Sequence, residues 1–307
     1  MNEHSGPALQ WWLPTLEHFG ATHPLREWLP RADRLRAGAA GYVAGLGDYF
    51  KGITPPLPSA ALTRELLASD AADATWVSAD PAWARPDING IRLMACGNLQ
   101  LTMEEAEAFA APLRPVFGDA GMQLEVSTPD HWHLRLPAGS PLPEFSSLEQ
   151  AMGEDLSEHL PQGTEGRRWR LLLNDIQVLL HQNPLNIERR KRGVAPVNSL
   201  WLWGGGRLPS ALRTDLRRVL SDDLLLRALA QHAGIPHQVR SSEAVAAAGA
   251  GDLLDLQDLP SDEIATQWWP FLLPMLESKA VLMHFASGER WLHKPRHHWR
   301  FWRGAGR

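Results

Sequence analysis

HQNPLNIERRKRGVAPVNSLWLWGGGR, His181 to Arg207, decides how this 307-residue chain is read. Asn183 and Asn186 flank Pro184. Arg189, Arg190, Lys191 and Arg192 form an unbroken cationic run, Val197 to Trp203 reads as a short buried strand, and Gly204, Gly205 and Gly206 follow it. Arg grips a phosphate or carboxylate in bidentate fashion, and glycines let backbone N–H groups approach a ligand. Pro209 suits the first turn of a helix. The order strand, Gly turn, helix therefore predicts an anion site at a helix N-terminus. Asn183, Asn186, Arg189, Arg190, Asn198, Gly204, Gly205, Gly206 and Arg207 are the candidate ligand-binding set, for a small phosphorylated or carboxylate metabolite. The alternative gives Asn183 and Asn186 a turn-capping role and leaves the cationic run as a solvated surface.

Upstream, Trp169, Leu172, Leu173, Ile176, Leu179 and Leu180 predict an amphipathic helix over 168–182. Arg170, Asn174, Gln177 and His181 form a second stripe, either a solvated face or one wall of the same pocket. Thr102 and Glu105 form a capping box before a helix that buries Ala106, Phe109, Ala110 and Leu113. Met122–Ser127 and His131–Leu136 alternate as a hairpin, and Gly90–Leu101 and Trp76–Ala79 read as strands, the latter stopped by an Ala79-Asp80-Pro81 turn. Short helices are expected over Trp11–Phe19, Leu25–Leu35 and Ala60–Ser69.

Downstream, Leu208–Leu220 and Asp222–His232 read as helices, the second capped by Asp222-Asp223. Leu253–Leu256 reads as a strand and Ser261–Glu277 as a helix broken at Pro270 and Pro274. Ala280–Ala286 and Arg290–His293 flank a Ser287-Gly288 hairpin turn. The pattern predicts an α/β fold, a mixed sheet with flanking helices. Three regions are expected: a Trp/Pro-rich N-terminal part (1–89) packed on the body, an α/β region (90–196), and a C-terminal α/β region (197–307) with a basic aromatic tail.

The central segment resembles cofactor-independent phosphoglycerate mutases of archaeal type. Asn183-Pro184-Leu185-Asn186, Arg190 or Arg189, Gly193, Val197-Asn198, Trp201 and Trp203-Gly204 follow that family's signature in register, and the similarity runs from about Leu93 to Ile235. This covers their inserted domain and part of their core. The whole chain, with WVSADPAW at 76–83, WRLLLNDIQVLLHQNPLN at 169–186 and RFWR at 300–303, resembles RpfE-type regulatory proteins more closely. The mutase resemblance implies two metals and a nucleophile, held by an N-terminal Asp-Gly element and by late His- and Asp-rich motifs. The chain opens MNEHSGPALQWWLPTLEHF, and its late region reads LLDLQDLPSDEIATQWW, without His. Two-metal phosphoryl transfer needs clustered carboxylate and His ligands, so neither metal nor cofactor is expected. The reading is a non-catalytic regulator that binds a small anionic metabolite or a protein partner. The alternative is a metal-dependent phosphoglycerate mutase or related phosphoryl-transfer enzyme.

Hydrophobic content of 44%, charged content of 21% and a net charge of −5 describe an ordinary globular chain with no global pull toward nucleic acid. The lone Cys96 excludes an internal disulfide and fits a packing role in a reducing compartment, so a cytoplasmic location is expected. No signal-like or membrane-spanning apolar run is present. Asp252, Asp255, Asp258, Asp262, Glu263 and Glu277 form an acidic block. Arg290, Lys294, Arg296, Arg300, Arg303 and Arg307 form a basic tail interleaved with Trp291, Trp299, Phe301 and Trp302, with His293, His297 and His298 adding conditional charge. Contact with single-stranded nucleic acid is one use of such a tail; docking on the acidic block or on a partner protein is favoured. His131 and His133 share a strand face but have no third ligand at metal spacing, so a structural role is expected.

Overall fold

The computed structural model describes residues 8–88 and 90–300. Its strands are β1 (Leu9–Leu13), β2 (Asp33–Arg34), β3 (Ala74–Asp87), β4 (Gly90–Cys96), β5 (Gln123–Val126), β6 (Trp132–Pro137), β7 (Ser199–Gly206), β8 (Arg218–Leu220), β9 (His237–Gln238), β10 (Asp252–Asp255), β11 (Val281–Phe285) and β12 (Arg290–His293). Its helices are α1 (Leu25–Trp28), α2 (Tyr42–Tyr49), α3 (Ser59–Ala68), α4 (Met103–Ala110), α5 (Leu113–Asp119), α6 (Leu148–Ala151), α7 (Gly163–Gln182), α8 (Leu185–Lys191), α9 (Leu224–His232), α10 (Ser242–Ala246), α11 (Ser261–Glu263) and α12 (Trp269–Ser278). The fold is mixed α/β. No helix among the described residues is long and apolar enough to cross a membrane.

The chain divides into two units, one of residues 1–53 with 211–307 and one of residues 54–210. Boundaries near 90 and 197 are thereby corrected. The reason is β3, which pairs with β4, β6 and β7 and so ties residues on both sides of each expected boundary into one sheet.

The first unit is built on a seven-stranded sheet ordered β2-β12-β11-β1-β10-β8-β9. β1, β8, β9, β10 and β11 run parallel, and β12 and β2 close one edge antiparallel. Residues 9–13 therefore form the central strand, where the sequence suggested a helix. Strand side chains alternate between faces: Leu9, Trp11 and Leu13 enter one apolar core with Leu254, Val281, Met283 and Phe285. Trp12 points to the other face, and Pro14 cannot supply the N–H a longer central strand would need. The expected helix over 208–220 is also absent. Thr214 donates its hydroxyl to the Tyr49 carbonyl (2.7 Å) and accepts from the Leu216 N–H (3.1 Å), local bonds that compete with helical ones. The helix after Ser261 passes through a wide π turn over Ile264–Trp268 just before Pro270, whose missing N–H disrupts the ordinary ladder. The hairpin of β11 and β12 forms as read, with Gly288 at φ +97° in its turn. Asp223 caps α9 by accepting from the Leu226 N–H.

In the second unit β3 is the spine. β6 pairs with its first residues, β4 with its last, and β7 lies along its middle. The Ala79-Asp80-Pro81 turn expected from sequence is absorbed into this 14-residue strand. The capping box of Thr102 and Glu105 and the hairpin of β5 and β6 form as read. α4, α5 and α7 cover the sheet, burying Phe109, Phe117, Trp132, Trp169 and Ile176 in one core. Cys96 packs in an apolar cluster, and burial raises its thiol well above the ordinary range.

The described part of the basic tail lies on the body, and its ion pairs at Arg290 and Arg300 are made with acids outside the acidic block. Arg290 pairs with Asp48, and Arg300 pairs with Asp33 at 2.6 Å. Trp299 is exposed, at 66%. Phe301, Trp302, Arg303 and Arg307 lie outside the described residues, as does the side chain of His298.

Candidate functional site

Parallel α/β sheets bind ligands beyond the carboxyl ends of their strands, where the chain path reverses. In the first unit that place is the end of β1, which lies between β10 and β11. Register places His284 of β11 beside Trp12 of β1, and Trp12 beside Asp255 of β10. One residue past β8, Ser221 donates its hydroxyl to Asp255 Oδ2 at 2.6 Å. His284, Trp12, Asp255 and Ser221 thus form one row across four parallel strands, on the face opposite the main apolar core.

α2 covers this row. Tyr42 stacks on the Trp12 ring at 5.5 Å between centroids and 3° between planes, and its hydroxyl donates to Asp223 Oδ1 at 2.7 Å. Burial, then the Asp223 carboxylate, raises that phenol well above its ordinary range. Tyr49 stacks on His284 at 5.3 Å, with its hydroxyl 3.0 Å from Nδ1. Gly45 makes this closeness feasible: a Cβ there would stand 2.9 Å from the Trp12 ring. Burial, helped by nearby Arg290, lowers His284 to about 4, so its imidazole is neutral at pH 7. Burial pushes Asp255 the other way, up to about 7, against the Ser221 hydrogen bond.

Beside the row, the guanidinium of Arg240 is almost fully buried. It donates to the Asp255 carbonyl (2.8 Å), to Asp222 Oδ2 (3.1 Å), to Asp258 Oδ2 (2.6 Å) and to Asp258 Oδ1. Burial alone would lower its pKa, and the Asp258 bonds with the Asp222 and Asp255 charges raise it instead. Asp252 is held by Arg217 and Arg218, at 3.3 and 2.6 Å.

This donor set does not fit the two metals that the mutase resemblance implies. Trp12 fills the middle of the row, Asp222 and Asp258 face a fixed cation, and Asp255 takes its hydrogen bonds from Ser221 and the Gln257 N–H. Among the described residues, no group of three His, Cys, Asp or Glu is arranged to hold a metal ion.

The nine residues singled out around 183–207 lie in the second unit, and their side chains do not share one pocket. Asn186 is 1% exposed; its amide donates to the Leu180 and Val197 carbonyls and accepts from the Val197 N–H, all at 2.8 Å. Arg189 is 0% exposed and donates to the Ala195 carbonyl (2.9 Å), Glu105 Oε2 (3.1 Å) and the Leu99 carbonyl. Asn183 caps the turn by accepting from the Leu185 N–H at 3.0 Å. Asn198 exchanges two bonds with the Ala84 backbone (2.8 and 2.7 Å), where β3 slips register between Trp83 and Ala84. The Gly triplet ends β7 and has no helix after it. Gly204 adopts φ +62°, and the triplet lets β7 pass against Pro58 and Ser59 at the start of α3 and against Leu142. Arg190 and Arg207 are exposed. Of the second stripe on α7, Gln177 reaches Ser199 Oγ, and Asn174 and His181 are exposed, so the stripe lines no common pocket.

His133 is buried between Ser127 Oγ (2.8 Å at Nδ1) and Thr63 Oγ1 (3.0 Å at Nε2), and burial lowers it to about 4. This is a satisfied structural histidine. The sequence reading passed over Trp12, Tyr42, Tyr49, Ser221, Arg240 and His284. The local signals were the Ser221-Asp222-Asp223 run and the pair Asp255 and Asp258.

No protein-family model matches the chain. Over 57 residues, 19% of this chain and 14% of the relative, it is 40% identical to a probable 2,3-bisphosphoglycerate-independent phosphoglycerate mutase of Geobacter sulfurreducens. Over 88 residues, 27% of this chain and 22% of the relative, it is 32% identical to the 2,3-bisphosphoglycerate-independent phosphoglycerate mutase of Methanosarcina barkeri. Part of this chain is similar to part of those mutases. The solved structure of the PH0037 protein from Pyrococcus horikoshii shares the fold, with a TM-score of 0.50 and 12% identity over 94% of this chain and 87% of that one.

Proposed function

We propose that this protein is a non-catalytic regulator on a phosphoglycerate-mutase-like scaffold, acting by binding a small phosphorylated or carboxylate metabolite or a protein partner. The observation that carries the reading is the plugged carboxyl edge of the first unit. Trp12, clamped under Tyr42, occupies the centre of the row, and Arg240 supplies the positive charge that Asp222 and Asp258 require. Phosphoryl transfer through two metals needs open carboxylate and His ligands there. The resemblance to RpfE-type proteins supports the regulatory part.

The short matches to mutases favour a second reading, metal-dependent phosphoglycerate mutase activity. Assays of the full chain with 2- and 3-phosphoglycerate and with a general phosphatase substrate, in Mn²⁺ and in Mg²⁺, separate the two. The regulator shows no turnover with either metal. Turnover that chelator abolishes and Mn²⁺ restores establishes the enzyme.

A further inference from the structure

We propose that α7 is a homodimerisation surface, its occupant a second copy of α7 packed antiparallel across a two-fold axis. The helix has 20 residues, a rod of about 30 Å at the usual rise. One side is committed to the core through Trp169, Leu172, Leu173, Ile176 and Leu180. The opposite side carries Thr164, Arg168, Leu171, Asp175 and Val178, at alternating spacings of four and three. That spacing keeps a narrow seam on one line of a helix, as in paired helices.

The seam is apolar where it should meet water. Leu171 is 57% exposed and Val178 55%. Beside it runs a shallow groove between α5 and α7, with Val116, Ala120, Leu172 and Leu179 among its apolar lining and Asp119 and Asp175 among its acids. Arg168 lies at the same groove and donates to the Ala120 carbonyl.

Charge selects the occupant and its direction. Arg167, Arg168 and Arg170 lie in the first half of α7, and from Leu171 to Gln182 the only formal charge is Asp175. A parallel copy would set arginine against arginine. An antiparallel copy centred on Leu171 brings Arg168 of each helix opposite Asp175 of the other, lays Leu171 against Leu171 and Val178 against Thr164 of the copy, and opposes the two helix dipoles favourably. The face is self-complementary, as a two-fold interface requires. A single helix face with its rim falls near or below the roughly 800 Å² per partner of a stable interface, so the dimer is weak and concentration-dependent.

Sedimentation velocity of the full chain across a wide concentration range tests this. The expected result is a reversible monomer–dimer equilibrium. Leu171→Glu weakens it roughly tenfold or more, as loss of a central apolar contact does, and Val178→Glu, at the end of the seam, weakens it less. Arg168→Asp weakens it too, and Arg168→Asp combined with Asp175→Arg restores it. These side chains are surface groups, and unchanged circular dichroism and melting confirm an intact fold. A chain that is monomeric throughout overturns the proposal. So does a dimer indifferent to Leu171→Glu, or one that the charge exchange fails to restore.

Discussion

Residues 183–207 and the carboxyl edge of the seven-stranded sheet make opposite uses of their polar groups. The first stretch is rich in Arg, Asn and Gly, yet Asn186 and Asn198 direct their polar atoms at backbone groups of their own unit, and Arg189 directs its guanidinium at two backbone carbonyls and Glu105 there. They hold irregular chain where ladder bonds fail. The second place holds few polar residues in any one stretch of sequence, but the fold gathers them. Ser221, Arg240, Asp255 and His284 come from four segments and meet at the sheet position where α/β folds bind ligands. Local density of ligand-like residues is therefore a poor guide to a site, because buried irregular backbone recruits the same residues.

The largest expected effect is at Arg189. Arg189→Ala leaves three acceptors unmatched in a buried setting, so urea denaturation should show a loss of about 3–5 kcal/mol. Arg189→Lys should recover little of it, since an ammonium cannot reproduce the guanidinium fork. Near-neutral Arg189→Ala would return this residue to the pool of ligand candidates.

Arg240→Ala should cost about 2 kcal/mol, less than Arg189→Ala because Asp222 and Asp258 are part-exposed and can rehydrate. The same variant sharpens the contrast between the two places. With the internal cation removed, Mn²⁺ should protect Arg240→Ala against unfolding and leave the parent chain unaffected. Gly45→Ala should cost about 1–2 kcal/mol by overpacking against Trp12. Altered tryptophan fluorescence would accompany the loss; an unchanged stability would show that α2 does not press on the row.

The smallest effect concerns pH, because opposite terms offset. His133 and His284 fall from an ordinary 6.5 to about 4, so the folded state resists protonation and their contribution is lost as pH falls from 6.5 toward 4. Asp255 rises from 3.8 to about 7, so its protonated form favours the fold, and its contribution is lost as pH rises from about 4 to about 7. In the first unit the two terms oppose each other. Asp255→Asn should remove one of them and steepen the loss of stability on acidification between 6.5 and 4. An unchanged slope in denaturation at several pH values would place Asp255 outside this balance.

Much of the second unit was legible because its signals are local. The Thr102 and Glu105 capping box, the alternation through Leu124 and Leu134, and the 3.6-residue stripe of α7 each specify an element without distant contacts. The first unit was harder. Leu9–Leu13 is too short for apolar periodicity to separate a strand from a helix, and only its neighbours β10 and β11 make it central. Residues 208–220 look helical until Thr214 binds the Tyr49 carbonyl, a partner remote in sequence. The row of His284, Trp12, Asp255 and Ser221 was illegible for the same reason. Each member is unremarkable in its own segment, and the parallel register alone aligns them.

The central claim is that the sheet edge is closed to metal by Trp12 and Arg240. Calorimetric titration of the full, metal-stripped chain with Mn²⁺ tests it most directly. The account predicts no stoichiometric binding in the parent chain. Saturable uptake of two Mn²⁺ per chain would contradict it and return the molecule to metal-dependent phosphoryl transfer.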